Sequence, residues 1–426
     1  MKILVLSNLY PPDFLGGYEL ACKQAVDCLR RRGHEVRVIS SVPRVPTAAT
    51  PDVERLFQLT DVYDPSVNQS NRPLVHLLRE YQSNLVNSHN VYILATVVDS
   101  WQPDVAYVHN LVGLGGLSLI TCLQFLGVPW VWHLGDCAPN FLLGKWGKPI
   151  PALAKEFEYL SRGHYISCSA RLVDEIREAG TNLMIRPNGV HLVPYWVIGE
   201  GSPGRTRFYR PGDTLRMVYA GMISTHKGSD IIVKMASILR SQQMDNFTIE
   251  FYGPTADHNI QALIQALELT DHVFLRGVRP QSQLVAMHKD YDLFLFPTWT
   301  REPFGIVPIE AAAHGCLPLI SQSNGVGEWL VHGVHCLKAE RTPEAFAELV
   351  GEVYRGQIPL KQLARRACQV ILRDFHLDYR ITHIEKVLRN AASERMAPLG
   401  SPVDAHRLAI LAEKYILAQV QVSQAA

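Results

Sequence analysis

Short apolar runs alternate with helix-forming segments along most of this chain of 426 residues. A strand is predicted at 3–7, and a second strand is predicted at 35–40. Between them, apolar residues recur every three or four positions over 18–29, which is the spacing of one face of a helix. Because a strand, a crossover helix and a second strand normally form a parallel pair, this pattern predicts a parallel sheet covered by helices.

The alternation forms two series. The further predicted strands of the first series are 105–109, 130–134 and 165–168, and those of the second series are 215–220, 247–252, 272–275, 293–297 and 317–320. The segment 197–213 between the two series is rich in Gly and Pro, which suit neither helix nor strand interiors. The sequence therefore predicts an α/β protein with two doubly wound, Rossmann-like domains.

The expected domain limits follow from this pattern. Residues 1–196 should form the first domain, 197–213 a linker and 214–400 the second domain. A last helix, within 401–426, is expected to pack back on the first domain. Residues 42–90 are less periodic and are interpreted as an insertion. In sheets of this kind ligands bind beyond the carboxyl ends of the strands, so a cleft between the two domains is the expected site.

Charge and cysteine content exclude several functions. The chain has 41 Lys and Arg against 40 Asp and Glu, so no long-range field favours nucleic acid. The eight cysteines form no zinc-type spacing, which indicates reduced thiols. Neither a signal peptide nor a run of about 18 apolar residues is recognisable. A cytoplasmic protein without a transmembrane segment is expected, and peripheral membrane contact stays open.

The densest set of chemically useful residues lies at 300–311. Glu302 is predicted on a loop, and Glu310 is predicted about one turn into the following helix. Between them the free amides of Gly305, Ile306 and Val307 form a helix N-terminus that suits a phosphate. Two carboxylates beside an anion site fit a nucleotide sugar, which has hydroxyls on both sides of its diphosphate. On spacing alone, a capping Glu302 and an exposed Glu310 are the alternative.

The pair Glu302 and Glu310 resembles the E-x7-E signature of the retaining GT-B glycosyltransferases, specifically the family-four group. Further elements resemble that group in the same order along nearly the whole chain. They are Gly16-Gly17-Tyr18-Glu19 (GG-x-E), Arg32-Gly33-His34-Glu35-Val36, Asn188-Gly189-Val190, Gly221 with Lys227-Gly228 (G...KG), and Asn324-Gly325-Val326-Gly327-Glu328. The resemblance implies the GT-B fold, in which the two domains face a cleft.

The resemblance also implies roles for particular residues. Glu310 would hold the ribose hydroxyls, and Glu302 would contact hydroxyls of the transferred hexose. Lys227 would neutralise the departing diphosphate, a task that suits a flexible point charge. Gly17 would bring a backbone amide to the same phosphates. His133 matches the histidine that approaches the donor sugar from the first domain.

Two positions fit the family pattern less well. His109 ends a predicted strand as His133 does, but its counterpart in the family is vaguer, and a structural role is the alternative. Many members have Arg directly after the Gly of the G...KG element, whereas this chain has Met222. Either Lys227 acts with amide donors alone, or another arginine, such as Arg279 or Arg301, reaches the phosphates.

The expected function is therefore transfer of a hexose from a nucleoside diphosphate sugar with retention of configuration. UDP is favoured over GDP or ADP from the family alone, and neither a metal nor another cofactor is required. A nucleotide-sugar epimerase of the same fold and a catalytically silent nucleotide-binding module are the alternatives. Nucleic acid is not an expected partner.

The acceptor is the least constrained part of the prediction. A sugar, a glycan or a lipid-linked glycan, anionic or neutral, is expected to bind the first domain. Lys145, Trp146 and Lys148 place two cations about an aromatic ring on a loop after His133. Such a loop suits a sugar ring that bears an anion. A solvated loop anchored by a buried Trp is the alternative.

Overall fold

The computed structural model describes residues 1–43, 53–60, 79, 81–143, 162–178, 189–205, 208–257 and 259–425, and the side chains of 141 and 417–425 are left out. These residues form two compact units. The first contains 1–168, 172–193 and 381–426, and the second contains 169–171 and 194–380. None of the described helices is long and apolar enough to span a membrane.

The first unit is built on a parallel sheet of seven strands in the order β3-β2-β1-β4-β5-β6-β7. Its strands are β1 (Lys2–Leu6), β2 (Glu35–Ser41), β3 (Val53–Phe57), β4 (Val105–Val108), β5 (Trp130–Leu134), β6 (His164–Ser167) and β7 (Val190–Leu192). The helices between them are α1 (Gly17–Arg31), α2 (Ser88–Trp101), α3 (Gly116–Phe125), α4 (Ala138–Leu143) and α5 (Ala170–Ile176). The strand order reverses between β1 and β4, the point at which such sheets bind ligands.

The second unit is built on a parallel sheet of six strands in the order β10-β9-β8-β11-β12-β13. Its strands are β8 (Leu215–Ala220), β9 (Phe247–Tyr252), β10 (Val273–Gly277), β11 (Leu293–Phe296), β12 (Leu317–Ser321) and β13 (Leu337–Ala339). Its helices are α6 (Ser229–Ser241), α7 (Asn259–Ala266), α8 (Gln281–Met287), α9 (Val307–Ala313), α10 (Pro343–Tyr354) and α11 (Leu360–Asp374). The order reverses between β8 and β11. Two doubly wound α/β domains are therefore confirmed.

The described residues of the Gly- and Pro-rich stretch, 197–205 and 208–213, are irregular in structure and belong to the second unit. Tyr209 is buried, and its amide donates to Asp292 Oδ1 at 3.1 Å. Arg205 Nη2 donates to the same oxygen at 3.0 Å, and both side chains of this ion pair are almost fully buried. Since a buried charge must be paired to be tolerated, this pair fixes the stretch to the start of β11.

The C-terminal helices α12 (Leu377–Ala392) and α13 (Pro402–Ala425) lead back to the first unit. Helix α13 packs against α2, and Glu413 accepts hydrogen bonds of 2.7 Å from both the amide and the hydroxyl of Ser88. In α12, Glu385 accepts hydrogen bonds from Arg389 at 2.7 Å and from Arg32 at 3.1 Å, and His34 lies 3.2 Å away. Desolvation acts to raise the pKa of Glu385, but these neighbours outweigh it and lower the pKa to about 2.

Replacement of Glu385 by Gln should lower the free energy of unfolding at pH 7 by about 1 kcal/mol, a charged hydrogen-bond value reduced for solvent screening. The pKa is lower in the folded state, so this stability is present above pH of about 4.3 and is lost as the pH falls toward 2. Urea unfolding at pH 7 and pH 3 measures the difference. An equal difference at both pH values would contradict the ion-pair interpretation, and the exposed Glu348→Gln serves as control.

Candidate functional site

In the second unit, the structure brings Lys227 and Glu302 together at the point where the strand order reverses. Lys227 lies on the loop after β8, and Glu302 lies on the loop after β11. The ammonium Nζ of Lys227 donates a hydrogen bond to Glu302 Oε2. Thr298 Oγ1 donates to the same oxygen at 3.0 Å. The two predicted site residues thus form one ion pair, and Thr298 is a third member that the sequence motifs did not identify.

A glycine allows this close approach. Gly228 follows Lys227 and has φ +82°, a left-handed conformation that side chains disfavour. A Cβ added at this position would lie 2.1 Å from the carbonyl oxygen of Pro297, at the end of β11. Only glycine therefore lets the loop after β8 lie directly against the loop after β11, and the Lys-Gly pair has a physical reason.

Arg341 holds the same two loops together, although no motif points to it. Its Nε donates to the carbonyl of Pro297 at 3.0 Å. Its Nη2 donates to the carbonyls of Thr225 and His226 at 2.8 and 3.1 Å. Since a guanidinium offers several donors in a fixed plane, one side chain can fix the spacing of both loops. The sequence pattern does not indicate this role, because Arg341 lies outside the motifs and the strand before it, β13, has only three residues and was not predicted.

The segment from Gly305 to Glu310 has the predicted form. Helix α9 begins at Val307, Pro308 occupies its first turn, and the amides of Ile309 and Glu310 bond to the carbonyl of Ile306. The amides of Gly305, Ile306 and Val307 precede these bonds, so they are the free donors of the helix start. Gly305 has φ +90°, and an added Cβ would lie 2.5 Å from the ring of Phe296.

Glu310 has a partner that the sequence did not suggest. Its Oε1 accepts a hydrogen bond of 2.9 Å from Gln281 Nε2 at the start of α8. Burial raises the pKa of Glu310, and the hydrogen bond from Gln281 acts in the opposite direction. Because the carboxylate has further lone pairs, it can accept hydroxyl donors while Gln281 keeps it oriented.

The position of the expected second phosphate cation is occupied by an exposed methionine. Met222 is 45% exposed, and its carbonyl accepts a hydrogen bond of 2.7 Å from the Tyr219 hydroxyl. Of the two arginines considered as substitutes, Arg279 is exposed, and the guanidinium of Arg301 lies over the ring of Trp299, 5.7 Å from its centroid. Neither is placed beside Lys227 by a described hydrogen bond.

In the first unit, the GG-x-E element forms the start of α1. Gly16 is the extended residue before the helix, and Gly17 is its first residue. Glu19 is buried, and its Oε2 accepts from the amides of Gly16 at 3.0 Å and Leu15 at 3.4 Å. This is the glutamate half of a capping box, so Glu19 organises the turn that presents the amide of Gly17.

His133 lies in β5 among aromatic side chains. The Tyr18 hydroxyl donates to its carbonyl oxygen, and the Tyr107 hydroxyl lies 2.7 Å from its Nδ1. The centroid of the His109 ring lies 5.3 Å from that of His133. Burial lowers the pKa of His133 to about 3, and burial with the neighbouring His133 lowers the pKa of His109 well below its usual value. Both imidazoles are therefore neutral at physiological pH.

Asp136 lies on the turn after β5. Its pKa is raised to about 6, because burial raises it most, a hydrogen bond of 2.8 Å from the amide of Ala138 lowers it, and the charge of Glu19 raises it.

The predicted acceptor loop with Lys145, Trp146 and Lys148 lies outside the described residues, as does Asn188 of the NGV element.

Comparison with known proteins covers both units. Residues 15–193 match the family model described as Glycosyltransferase Family 4, and residues 206–370 match the model described as Glycosyl transferases group 1. The glycogen synthase of Mycobacterium tuberculosis is 26% identical over 446 aligned positions, which cover 96% of this chain and 99% of that protein.

Solved structures show the same fold. A glycosyltransferase from Rickettsia africae aligns with TM-score 0.66 and 14% identity over 92% of this chain and 98% of its own. The Anabaena protein HepE in complex with UDP aligns with TM-score 0.63 and 16% identity over 92% of this chain and 100% of its own. Its two family matches and its fold together show that the chain belongs to the GT-B glycosyltransferases of the family-four group.

Proposed function

We propose that this glycosyltransferase transfers a hexose from a nucleoside diphosphate sugar to a sugar or glycan acceptor, with retention of anomeric configuration. The observation that carries the proposal is the Lys227–Glu302 pair with Thr298 at the strand reversal of the second sheet. A cation beside a hydrogen-bonded carboxylate suits a molecule in which a phosphate adjoins a hydroxyl-rich ring.

The donor is proposed to lie along the strand ends of the second unit. Glu310, oriented by Gln281, accepts the ribose hydroxyls, and the amides of Gly305 to Val307 bind the diphosphate. UDP is the proposed nucleotide, supported by the resemblance to the family and by the UDP complex of the structurally similar HepE. The acceptor is proposed to be a carbohydrate, supported by the similarity to glycogen synthase.

The chemistry needs positive charge at the leaving group. The bond between the anomeric carbon and the phosphate oxygen breaks, and a bond from that carbon to an acceptor oxygen forms. In a front-face reaction the phosphate leaves with the bonding electron pair and takes the proton of the acceptor hydroxyl. In the alternative route a nucleophile of the protein first displaces the phosphate from the anomeric carbon, and the acceptor oxygen then displaces that nucleophile and gives its proton to the phosphate. In both routes the charge of Lys227 must stabilise the diphosphate. Lys227 therefore either leaves Glu302 or contacts the Glu302 carboxylate and the diphosphate at the same time. We expect turnover to persist in the presence of a metal chelator.

A donor panel tests the proposal. UDP-, GDP- and ADP-hexoses are compared by thermal shift, and the stabilising donors are then incubated with mono- and oligosaccharide acceptors. A ligand at 100 times its Kd stabilises the folded state by about 2.7 kcal/mol, which gives a measurable rise in Tm. Release of the nucleoside diphosphate together with a new glycoside supports transfer. A changed sugar that is still attached to its nucleotide would indicate an epimerase, and binding without turnover would indicate a silent module.

The Gln281→Ala variant tests how Glu310 is held. We expect the Kd for UDP to rise about threefold to tenfold, because the variant removes one hydrogen bond that orients the carboxylate. Isothermal titration calorimetry measures the change. Gln283→Ala, on the same helix, is the control, and an equal effect of both variants would show that helix α8 itself, rather than the contact with Glu310, determines the affinity.

A further inference from the structure

The sheet itself does not join the two loops that carry Lys227 and Glu302. Strands β8 and β11 pair at two positions, and the last pair joins Val218 to Phe294, so the ladder stops before either strand ends. Because the pairing ends early, the carboxyl ends of the two strands and the loops after them are positioned by other contacts. The distance between Lys227 and Glu302 therefore depends on those contacts.

A backbone hydrogen bond and a ring contact join the two loops at the surface. The amide of Trp299 donates to the carbonyl of His226 at 3.1 Å, and the centroids of their rings lie 5.4 Å apart. Both residues are exposed. Since contacts exposed to water open more readily than buried ones, this junction alone would hold Lys227 and Glu302 loosely.

Arg341 adds three hydrogen bonds from outside both loops. Its guanidinium donates to the carbonyl of Pro297, at the end of β11, and to the carbonyls of Thr225 and His226, directly before Lys227. A guanidinium is rigid and planar, so bonds from one such group to two loops fix the loops relative to each other.

The position of Arg341 is itself well fixed. Arg341 follows β13, which pairs with β12, and it directly precedes Thr342, whose hydroxyl caps helix α10 by accepting from the amide of Ala345 at 3.2 Å. Arg341 is half-buried. In the part of the chain that the structure describes, its guanidinium bonds to carbonyl groups and to no carboxylate. Its hydrogen bonds are therefore directed to the two loops.

We propose that Arg341 is a positioning residue that keeps Lys227 beside Glu302 at the strand reversal. Without its guanidinium, the loop after β8 can move away from the loop after β11, and the ion pair between Lys227 and Glu302 opens. The consequence for turnover rests on the proposed function, in which Lys227 stabilises the leaving diphosphate. The effect on the ion pair does not, because the contacts are present in the free protein.

The ion pair is measurable without any substrate. Full-length protein with ¹⁵N-labelled lysine is examined by ¹H–¹⁵N correlation of the ammonium groups, and the Lys227→Ala spectrum identifies the Lys227 signal. The Glu302→Gln spectrum gives the position of that signal when the ion pair is absent. In Arg341→Gln we expect the Lys227 signal to move toward this position.

Two further variants separate position from charge. Arg341→Lys keeps the positive charge but lacks the planar fork, so we expect it to move the Lys227 signal in the same direction. Arg240→Gln removes a guanidinium that donates to another carbonyl of the second unit, that of Glu268 at 2.8 Å, and should leave the signal in place. An unmoved signal in Arg341→Gln would overturn the inference, as would an equal shift in Arg240→Gln. If Arg341→Gln does not fold, Arg341→Lys decides in the same way.

The kinetic consequence is a separate measurement. Arg341→Gln should lower kcat for hexose transfer about tenfold to a hundredfold, because displacement of a catalytic group by about 1 Å has effects of this size. In a protein that already has Lys227→Ala, the same change should lower kcat by less than about threefold, since effects that pass through one group do not add.

Two kinetic results would overturn the positioning role. One is an unchanged kcat in Arg341→Gln, and the other is a double variant in which the two losses multiply. Absence of transfer from every donor would instead refute the proposed function, and the ammonium signal of Lys227 would still decide whether Arg341 holds the ion pair.

Discussion

Replacement of Lys227 by Ala is expected to lower kcat for hexose transfer by a factor of about 100 or more, while the Kd for the donor changes much less. Negative charge on the leaving diphosphate grows toward the transition state, so a cation at that point stabilises the transition state more than the bound donor. Steady-state rates with saturating donor, together with calorimetry of UDP binding, separate the two effects.

The matched control is Lys234→Ala. Lys234 also pairs with a carboxylate of the second unit, Asp230 at 3.1 Å, but it lies on the exposed face of α6. We expect Lys234→Ala to keep the kcat of the wild-type protein. If Lys227→Ala raised only the Michaelis constant for the donor, Lys227 would be a binding residue, and another group would have to stabilise the leaving phosphate where Met222 offers no charge.

The second large effect is expected at Glu310. Glu310→Ala should remove a charge-assisted pair of hydrogen bonds worth about 1.5 to 3 kcal/mol, which weakens UDP and the donor alike by about tenfold to a hundredfold. Glu302→Ala should leave the affinity for UDP unchanged or increase it, because its sugar partner is absent from UDP and because Lys227 loses its ion-pair partner. Its turnover should nevertheless fall.

Titration of UDP into the two variants and into an exposed control, Glu348→Ala, measures this division. Equal losses of UDP affinity in Glu302→Ala and Glu310→Ala would contradict the assignment of one carboxylate to the ribose and the other to the hexose. An undiminished affinity in Glu310→Ala would place the nucleotide elsewhere on the protein.

The fold was predictable where the periodicity of apolar residues was strong. The buried strands β1, β4, β5, β8 and β11 and the amphipathic helix α1 match the sequence pattern. The strands that the pattern missed are β3, β7 and β13. Two of these have only three residues, which is too short for an alternation to emerge, and β3 lies within the segment interpreted as an insertion.

The site was predictable only as far as short motifs extend. Lys227, Glu302 and Glu310 each lie within a motif, but their partners do not. Contacts such as those of Gln281 with Glu310, or of Tyr107 with His133, join residues 29 and 26 positions apart in the chain. No local pattern encodes such a pairing, because it depends on which strands become neighbours. The capping role of Glu19 also needed the hydrogen-bond geometry to become visible.

The central claim is that the protein moves a hexose from a nucleotide sugar to a carbohydrate with retention. The most direct measurement is ¹H NMR of the anomeric proton during a reaction of UDP-α-hexose with an accepted sugar. We predict that UDP appears in step with a new α-linked anomeric signal, and that Lys227→Ala suppresses both signals together. A β-linked product would contradict retention, and UDP released in step with free hexose alone, across the acceptor panel, would contradict transfer.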